Sequence, residues 1–397
     1  MVELVTIATF LVAALASLFM AWAIGAGSSG STPFAPAVGA NAISVMRAGF
    51  LVGILGFAGA VLQGANVSEA VGADLIGGVT LSPMAATIAL AIAAGLVAIG
   101  VFAGYPIATA FTVTGAVIGV GLGMGGDPAW AKYTEIATLW ILTPFVGGGI
   151  AYSIARALRA ELIDEKYLIV VLAAFVGVLV ANIEFAILGS GAGGGASIAE
   201  ASSGWVPGSA VVGVVAMTTL IAALWAVVVG LDLRSGLESG ERHFLLVLGG
   251  LVAFSAGGSQ VGLAVGPLLP LSGDLEIPLM ALLVGGGFGL LLGSWTGAPR
   301  MIKAISQDYS SLGPRRSIAA LIPSFMIAQS AVLFGIPVSF NEIIVSAIIG
   351  SGYAAAGAGG GVSGRKMAYT VLAWIGSLAG SIALSYVGFT AISLVLG

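Results

Sequence analysis

Runs of about 20 apolar residues, separated by short polar patches, recur from one end of the chain to the other. Stretches of this kind can be drawn at 3–26, 48–63, 85–103, 106–124, 133–156, 167–189, 209–230, 244–268, 277–296, 317–334, 337–355 and 367–395. A helix needs roughly 20 residues to cross the hydrocarbon core of a bilayer, so the pattern predicts an all-α integral membrane protein of about 12 transmembrane helices. Composition agrees. Of 397 residues, 59% are hydrophobic and 8% charged, where a soluble domain carries about 25% charged residues and needs them to cover its surface. A soluble enzyme, a nucleic-acid binder and a disordered scaffold are excluded on that ground. The absence of cysteine excludes a disulfide framework. The N-terminus lacks a basic n-region, so the first stretch reads as a retained helix.

The few charges set the orientation. With Arg47 in the cytoplasm and the spans alternating, Arg156, Arg159, Lys166, Arg234, Arg242, Arg300, Lys303, Arg315, Arg316, Arg365 and Lys366 join it there, and only Lys132 lies outside. That bias predicts a multi-pass protein of the plasma membrane with both termini outside.

The chain also repeats itself. AWAIGAGSSGS around Gly25 returns as AFSAGGSQVGL around Gly257, 232 positions on, and GYPIATAFTVTGAVIGVG around Pro106 returns as GIPVSFNEIIVSAIIGSG around Pro337, 231 positions on. Trp140 and Trp374 lie 234 apart. Two landmarks at one offset indicate duplication. The odd number of crossings between copies inverts the second, which is the pattern of an alternating-access transporter. The organisation read from this is a first repeat over 1–160, a central helix pair and cytoplasmic connector over 161–240, and a second repeat over 241–397.

Four segments read as interruptions of membrane helices, and such a segment is tolerated only where its freed backbone groups face protein, water or a bound ion. They are Gly25 to Ser31, with Gly27; Gly257 to Gly262, with Gly258; Gly104-Tyr105-Pro106; and Gly335-Ile336-Pro337. The last two place proline at a helix start. Exposed helix N-termini carry partial positive charge and free N–H donors, which suits an anion. Ser28, Ser29 and Ser31 at the first break, Ser259 and Gln260 at the second, Thr109 after Pro106, and Ser339 and Asn341 after Pro337 supply further neutral donors. Together they are the candidate substrate-binding residues. Taken one at a time, such small and hydroxyl residues are common in helix–helix contacts; it is their occurrence in paired positions that points to a site.

At these residues the chain resembles the inorganic phosphate transporter family known as PiT, which carries two copies of a GANDVANA-like signature, each followed by a GxPVST-type motif. AFSAGGSQVGLAVGPL and the later GIPVSFNEIIVSAIIGSG match that frame, and the likeness runs from Trp22 to Trp374. The resemblance implies a symporter of a tetrahedral oxyanion, phosphate or sulfate, with a homodimer as the assembly. The signature chemistry departs from the family. Its Asn-Asp pair is Gly27-Ser28 in the first copy and Ser259-Gln260 in the second, and its later histidine position holds Glu342, with Phe111 in the first half. These departures look like the family's sulfate-permease branch: phosphate at neutral pH carries a proton it can donate to a carboxylate and sulfate does not, so losing both signature acids leans toward sulfate.

Glu342, beside the second proline break, is the candidate for coupling to a proton or sodium ion, since an acid at membrane depth is costly and usually functional; the bland alternative is a helix cap. Glu184, in the sixth span and outside both repeats, reads as a helix-contact or dimer-interface residue. Arg300 and Lys303 read as positive-inside anchors. GxGxxG patterns at 189–194 and 359–364 follow no strand and are connectors. His243, the one histidine, lies in a charged loop, so no serine–histidine pair or zinc cluster can be assembled, and the chain reads as no enzyme, without a cofactor. Against symport stand a passive anion channel and a relative that keeps the fold without transporting.

Overall fold

The computed structural model describes residues 2–160, 164–189, 195–354 and 362–396. In chain order the helices are α1 (Val2–Gly27), α2 (Ala35–Gly39), α3 (Val45–Gln63), α4 (Ala65–Ala73), α5 (Pro83–Ala103), α6 (Thr109–Gly123), α7 (Trp130–Arg159), α8 (Glu165–Ala181), α9 (Ile198–Ser202), α10 (Ala210–Ser235), α11 (Leu237–Val265), α12 (Leu269–Ser272), α13 (Leu279–Thr296), α14 (Ala298–Asp308), α15 (Pro314–Leu333), α16 (Phe340–Tyr353) and α17 (Gly364–Leu396). Local chemistry sets several starts. Ser44, Ser82 and Ser209 each accept a hydrogen bond from the backbone N–H three residues on, capping α3, α5 and α10. Ser197 and Glu200 form a reciprocal capping box on α9.

Every apolar stretch contains a helix, but among the described residues nine helices are long and apolar enough to cross a membrane. Three of the twelve expected spans hold only helices below that length. Helices α6, α8 and α16 have 15, 17 and 14 residues, about 21–26 Å at 1.5 Å per residue, short of the roughly 30 Å hydrocarbon core. Helices α6 and α16 start late because the chain first passes through an extended link inside the protein. Among the described residues two short antiparallel pairs lie between helices, β1 (Ile76–Gly77) with β2 (Asp127–Pro128) and, where α8 stops at Ala181 and the chain turns, β3 (Glu184–Phe185) with β4 (Ala196–Ser197). Glu184 is thus in a half-buried strand and not inside a membrane helix, which corrects its expected place. The 231–243 connector is also helical except at its break at Gly236, and His243 lies in α11 with its Nδ1 2.9 Å from Asp232 Oδ2. The two GxGxxG segments fall mostly outside the described residues.

Helix packing follows one scheme twice. Helix α1 packs on α5 and α13, and α11 packs on α15 and α3; α6 lies along α17, and α16 along α7. The pair α8–α10 leans on α11 from outside, with Val211, Val215, Leu224 and Val228 exposed along α10. Glycine makes the central contacts close. A Cβ on Gly257 would stand 1.9 Å from the carbonyl oxygen of Gly56, and one on Gly25 2.1 Å from that of Leu290, so these helices meet backbone to backbone.

That packing overturns one expected break and moves the start of another. Helix α11 runs without interruption through Gly257, Gly258 and Gly262, and Gly25 is helical within α1. Their glycines serve close approach, not interruption. The chain does leave the helix after Gly27, turning through 28–34 before α2, and it leaves helix at 104–108 and 334–339. Pro106 and Pro337 lie in the extended links, not at the first helical positions.

Candidate functional site

Two hairpins, α5–α6 and α15–α16, bring their tips to the centre of the molecule. Gly104 and Gly335 take left-handed conformations (φ +74° and +62°) that end α5 and α15, where a side chain would be strained. The links that follow have carbonyl groups with no helical donor, and side chains from elsewhere satisfy four of them, three across the two halves of the chain and Val338 from within its own half. Trp374 Nε1 donates to the Pro106 carbonyl at 2.8 Å, and Trp140 Nε1 to the Pro337 carbonyl at 2.9 Å. One residue on, Asn341 Nδ2 donates to the Ile107 carbonyl and Gln260 Nε2 to the Val338 carbonyl, both at 2.6 Å. Asn341 Nδ2 also reaches the Gly27 carbonyl at 2.9 Å, closing the end of α1.

Around these anchors a polar cluster is sealed from solvent. The Thr109 hydroxyl donates to Gln260 Oε1 at 2.8 Å and lies 3.3 Å from Ser28 Oγ. Ser28 Oγ is in turn 3.3 Å from Gln260 Oε1, and Ser259 Oγ lies 3.4 Å from Gln260 Nε2. Ser31 Oγ donates to the Ser28 carbonyl at 3.1 Å. Ser28, Ser31, Thr109, Ser259, Gln260, Ser339 and Asn341 are all fully buried, and Ser29 nearly so. The structure therefore brings Ser28, Thr109, Ser259 and Gln260 into one hydrogen-bonded group, with Asn341 joined to it through the same links. The N-termini of α6 and α16 both start here.

Not every polar atom is satisfied. Ser339 Oγ, the N-cap of α16, and Asn341 Oδ1 are buried without a hydrogen-bond partner. A buried polar group left so is costly and calls for an explanation, of which an absent ligand is one. Among the described residues no lysine or arginine is buried, and no three His, Cys, Asp or Glu side chains come together as a metal site. The amide N–H groups of Gln260 and Asn341 are spent on the contacts above, so the cluster presents hydroxyls to an anion's oxygens and, in the same space, one free carbonyl-type acceptor, Asn341 Oδ1.

Glu342 is buried one residue after Asn341 yet makes no hydrogen bond to the cluster. It lines a separate apolar cavity between α7, α16 and α17, close to the stacked rings of Phe111 and Trp140, whose centroids are 3.9 Å apart. The two tryptophans were legible in the sequence as landmarks of the repeat, but not as residues that hold the site. Their signal was the shared offset, and their partners, backbone carbonyls, leave no trace in side-chain spelling. The Gln63–Gln329 pair was missed altogether: Gln63 donates to the Glu184 carbonyl at 2.8 Å and lies 3.4 Å from Gln329 Oε1, linking α3, α15 and β3.

Comparison with known proteins places this geometry. A family model described as the phosphate transporter family matches residues 24–385. A protein of Thermococcus kodakarensis is 26% identical over 361 residues, covering 84% of this chain and 86% of its own. The chloroplastic inorganic phosphate transporter 2-1 of Arabidopsis thaliana is 24% identical over 384 residues, covering 86% of this chain and 65% of its own. The solved structure of a sodium-dependent phosphate transporter superposes with a TM-score of 0.78 at 21% identity, covering 98% of this chain and 99% of the other.

Proposed function

The chain belongs to the phosphate transporter family, and from that premise we propose that it carries inorganic phosphate across the plasma membrane as a secondary active symporter. Family membership makes it a multi-pass membrane protein and not an enzyme. The observation that carries the mechanism is the sealed cluster where the tips of two hairpins meet. Hydroxyls of Ser28, Ser259 and Thr109 and the two short-helix N-termini supply neutral donors that suit a tetrahedral oxyanion.

The unsatisfied acceptor Asn341 Oδ1 favours phosphate over sulfate. Monohydrogen phosphate carries a proton to donate to it; sulfate has none, and would leave the buried acceptor bare. The lean toward sulfate drawn from the lost signature carboxylates finds no support in the comparisons. Among the described residues no lysine or arginine is buried, so in this reading a co-transported cation, proton or sodium, offsets the anion's charge, with Glu342 as the coupling residue.

The doubled packing scheme supports duplicated halves over 1–160 and 241–397, inverted in the membrane, flanking the 161–240 pair. The reciprocal bonds Trp140 to Pro337 and Trp374 to Pro106 are what an inverted repeat would make. Alternating access would then be rocking of these halves about the cluster, with both termini outside and a homodimer as the assembly.

The test is uptake of radiolabelled phosphate and sulfate, in parallel, into proteoliposomes under an imposed sodium or pH gradient. Phosphate accumulates in the wild type, and Ser259→Ala with Gln260→Ala abolishes accumulation while the protein stays folded. Undiminished uptake by that variant sinks the site. Downhill flux without accumulation under either gradient would make the protein a channel, and no flux of either anion would make it a non-transporting relative.

A further inference from the structure

We propose that the cavity bounded by α6, α7, α16 and α17 binds a membrane-partitioned aliphatic ammonium, its head on Glu342 and its chain along the apolar walls. The cavity is about 780 Å³, within the roughly 300–1,000 Å³ of small-molecule sites. Phe111, Trp140, Phe145, Trp374 and Ile375 are among the side chains lining it, and among the described residues Glu342 is its only charged lining residue.

Three observations specify the ligand. First, the Glu342 side chain is 2% exposed, and its Oε2 has no hydrogen-bond partner. A carboxylate held in apolar surroundings without a donor is unstable, and an ammonium supplies both the donor and the opposite charge. Second, the indole N–H groups of Trp140 and Trp374 are occupied by backbone carbonyls, which leaves their rings to contact the ligand, and aromatic rings attract a cation. Third, Ile141, Phe145 and Ile375 line the cavity and are also 64%, 73% and 59% exposed. On a membrane protein that surface meets lipid, so the way in runs through the bilayer. An inorganic anion is excluded by charge: the lining holds hydroxyls of Tyr152, Ser346, Tyr353 and Thr370 but, among the described residues, no cationic side chain, and the carboxylate repels it. The cavity is therefore distinct from the polar cluster, although Glu342 and Asn341 are neighbours in the chain.

Binding follows from the cavity alone, whereas its effect on transport rests on the symport reading. An ammonium on Glu342 would occupy the coupling group and slow uptake.

The experiment uses the full chain in lipid nanodiscs and reads tryptophan fluorescence quenching by dodecylammonium brominated on its chain, with the matching brominated dodecanol as the uncharged probe. Gly149 lines the cavity, and a Cβ there meets nothing within 4 Å, so Gly149→Phe adds bulk at the cavity wall from an unobstructed Cβ, with Gly149→Leu as the milder form. Wild type is expected to show saturable quenching by the amine at a concentration about tenfold below that for the alcohol. Glu342→Gln should erase that preference, and Gly149→Phe should remove saturable quenching while leaving phosphate uptake intact. Equal quenching by the two probes in the wild type, an amine preference that survives Glu342→Gln, or saturable quenching that survives both Gly149 variants would overturn the proposal. In the uptake arm the amine slows the wild type and spares Gly149→Phe. Should the wild type carry no phosphate, the symport reading falls and the quenching data still decide the site.

Discussion

Replacing Gln260 by methionine keeps the length of the side chain and deletes the atoms that hold the cluster together. Gln260 Oε1 accepts from Thr109 at 2.8 Å, and Nε2 donates to the Val338 carbonyl at 2.6 Å. The single Thr109 proton cannot serve both Gln260 Oε1 and the more distant Ser28 Oγ, so the shorter contact is the working hydrogen bond. In Gln260→Met the hydroxyl turns to Ser28 Oγ, already 3.3 Å away, and recovers part of its loss. The Val338 carbonyl, in an extended link buried with the rest of the tip, has no such recourse. At about 1–3 kcal/mol for each buried group left unsatisfied, the variant should lose about 2–4 kcal/mol. A double-mutant cycle with Thr109→Val should return a coupling of about 1 kcal/mol, since the two side chains share a bond. Unfolding by SDS in mixed micelles reads the stability. Uptake into proteoliposomes reads the site, where a loss of about 2 kcal/mol corresponds to a rate about 30-fold lower. A stability within about 0.5 kcal/mol of wild type, or strict additivity with Thr109→Val, would refute the account of how the hairpin tip is held.

Gly257→Ala should destabilise by about 1–3 kcal/mol, because its Cβ would meet the Gly56 carbonyl oxygen at 1.9 Å; Gly285→Ala in α13, with nothing within 4 Å, should instead gain about 1 kcal/mol from helix propensity, both read by the same unfolding assay. Trp374→Phe removes the donor to the Pro106 carbonyl and should cost about 1–3 kcal/mol through the stranded acceptor, and Trp140→Phe should match it across the pseudo-symmetric position, with slowed uptake in both. Burial, and then the Glu200 carboxylate, push the Glu184 carboxyl above its usual range. Folding therefore favours its neutral form, so the stabilisation is full below the ordinary carboxylate pKa and is lost as pH rises through the raised one. Thermal unfolding across that window should show a falling midpoint in wild type and a flatter profile in Glu184→Gln; identical profiles would remove Glu184 as the source.

The unsatisfied atoms at the centre and the apolar cavity beside them fall to neighbouring residues. Asn341, at the start of α16, faces the ends of α1 and the α5–α6 link, and Glu342 faces α7 and α17. On a helix consecutive residues point about 100° apart, so one turn of α16 serves both the polar cluster and the lipid-accessible cavity.

Hydropathy and the shared offset of about 231–234 residues were enough to establish a membrane protein with paired hairpins, because apolar run length and self-similarity are properties of the chain itself. The two proline links, and the end of the first helix at Gly27, were legible for the same reason: proline and serine-rich glycine segments break helices locally. Only the tertiary structure decided that Gly257 and Gly258 lie in an unbroken helix. Glycine permits a break and equally permits a backbone to approach within van der Waals contact, and which of the two occurs depends on the Gly56 carbonyl on another helix. It likewise decided that α6 and α16 are too short to span, that Glu184 belongs to a strand, and that Glu342 sits in an apolar cavity away from Gln260. Residue spelling names the donors Gln260 and Asn341, but their partners include the carbonyls of Val338, Gly27 and Ile107, groups that every residue carries and that only folding can single out.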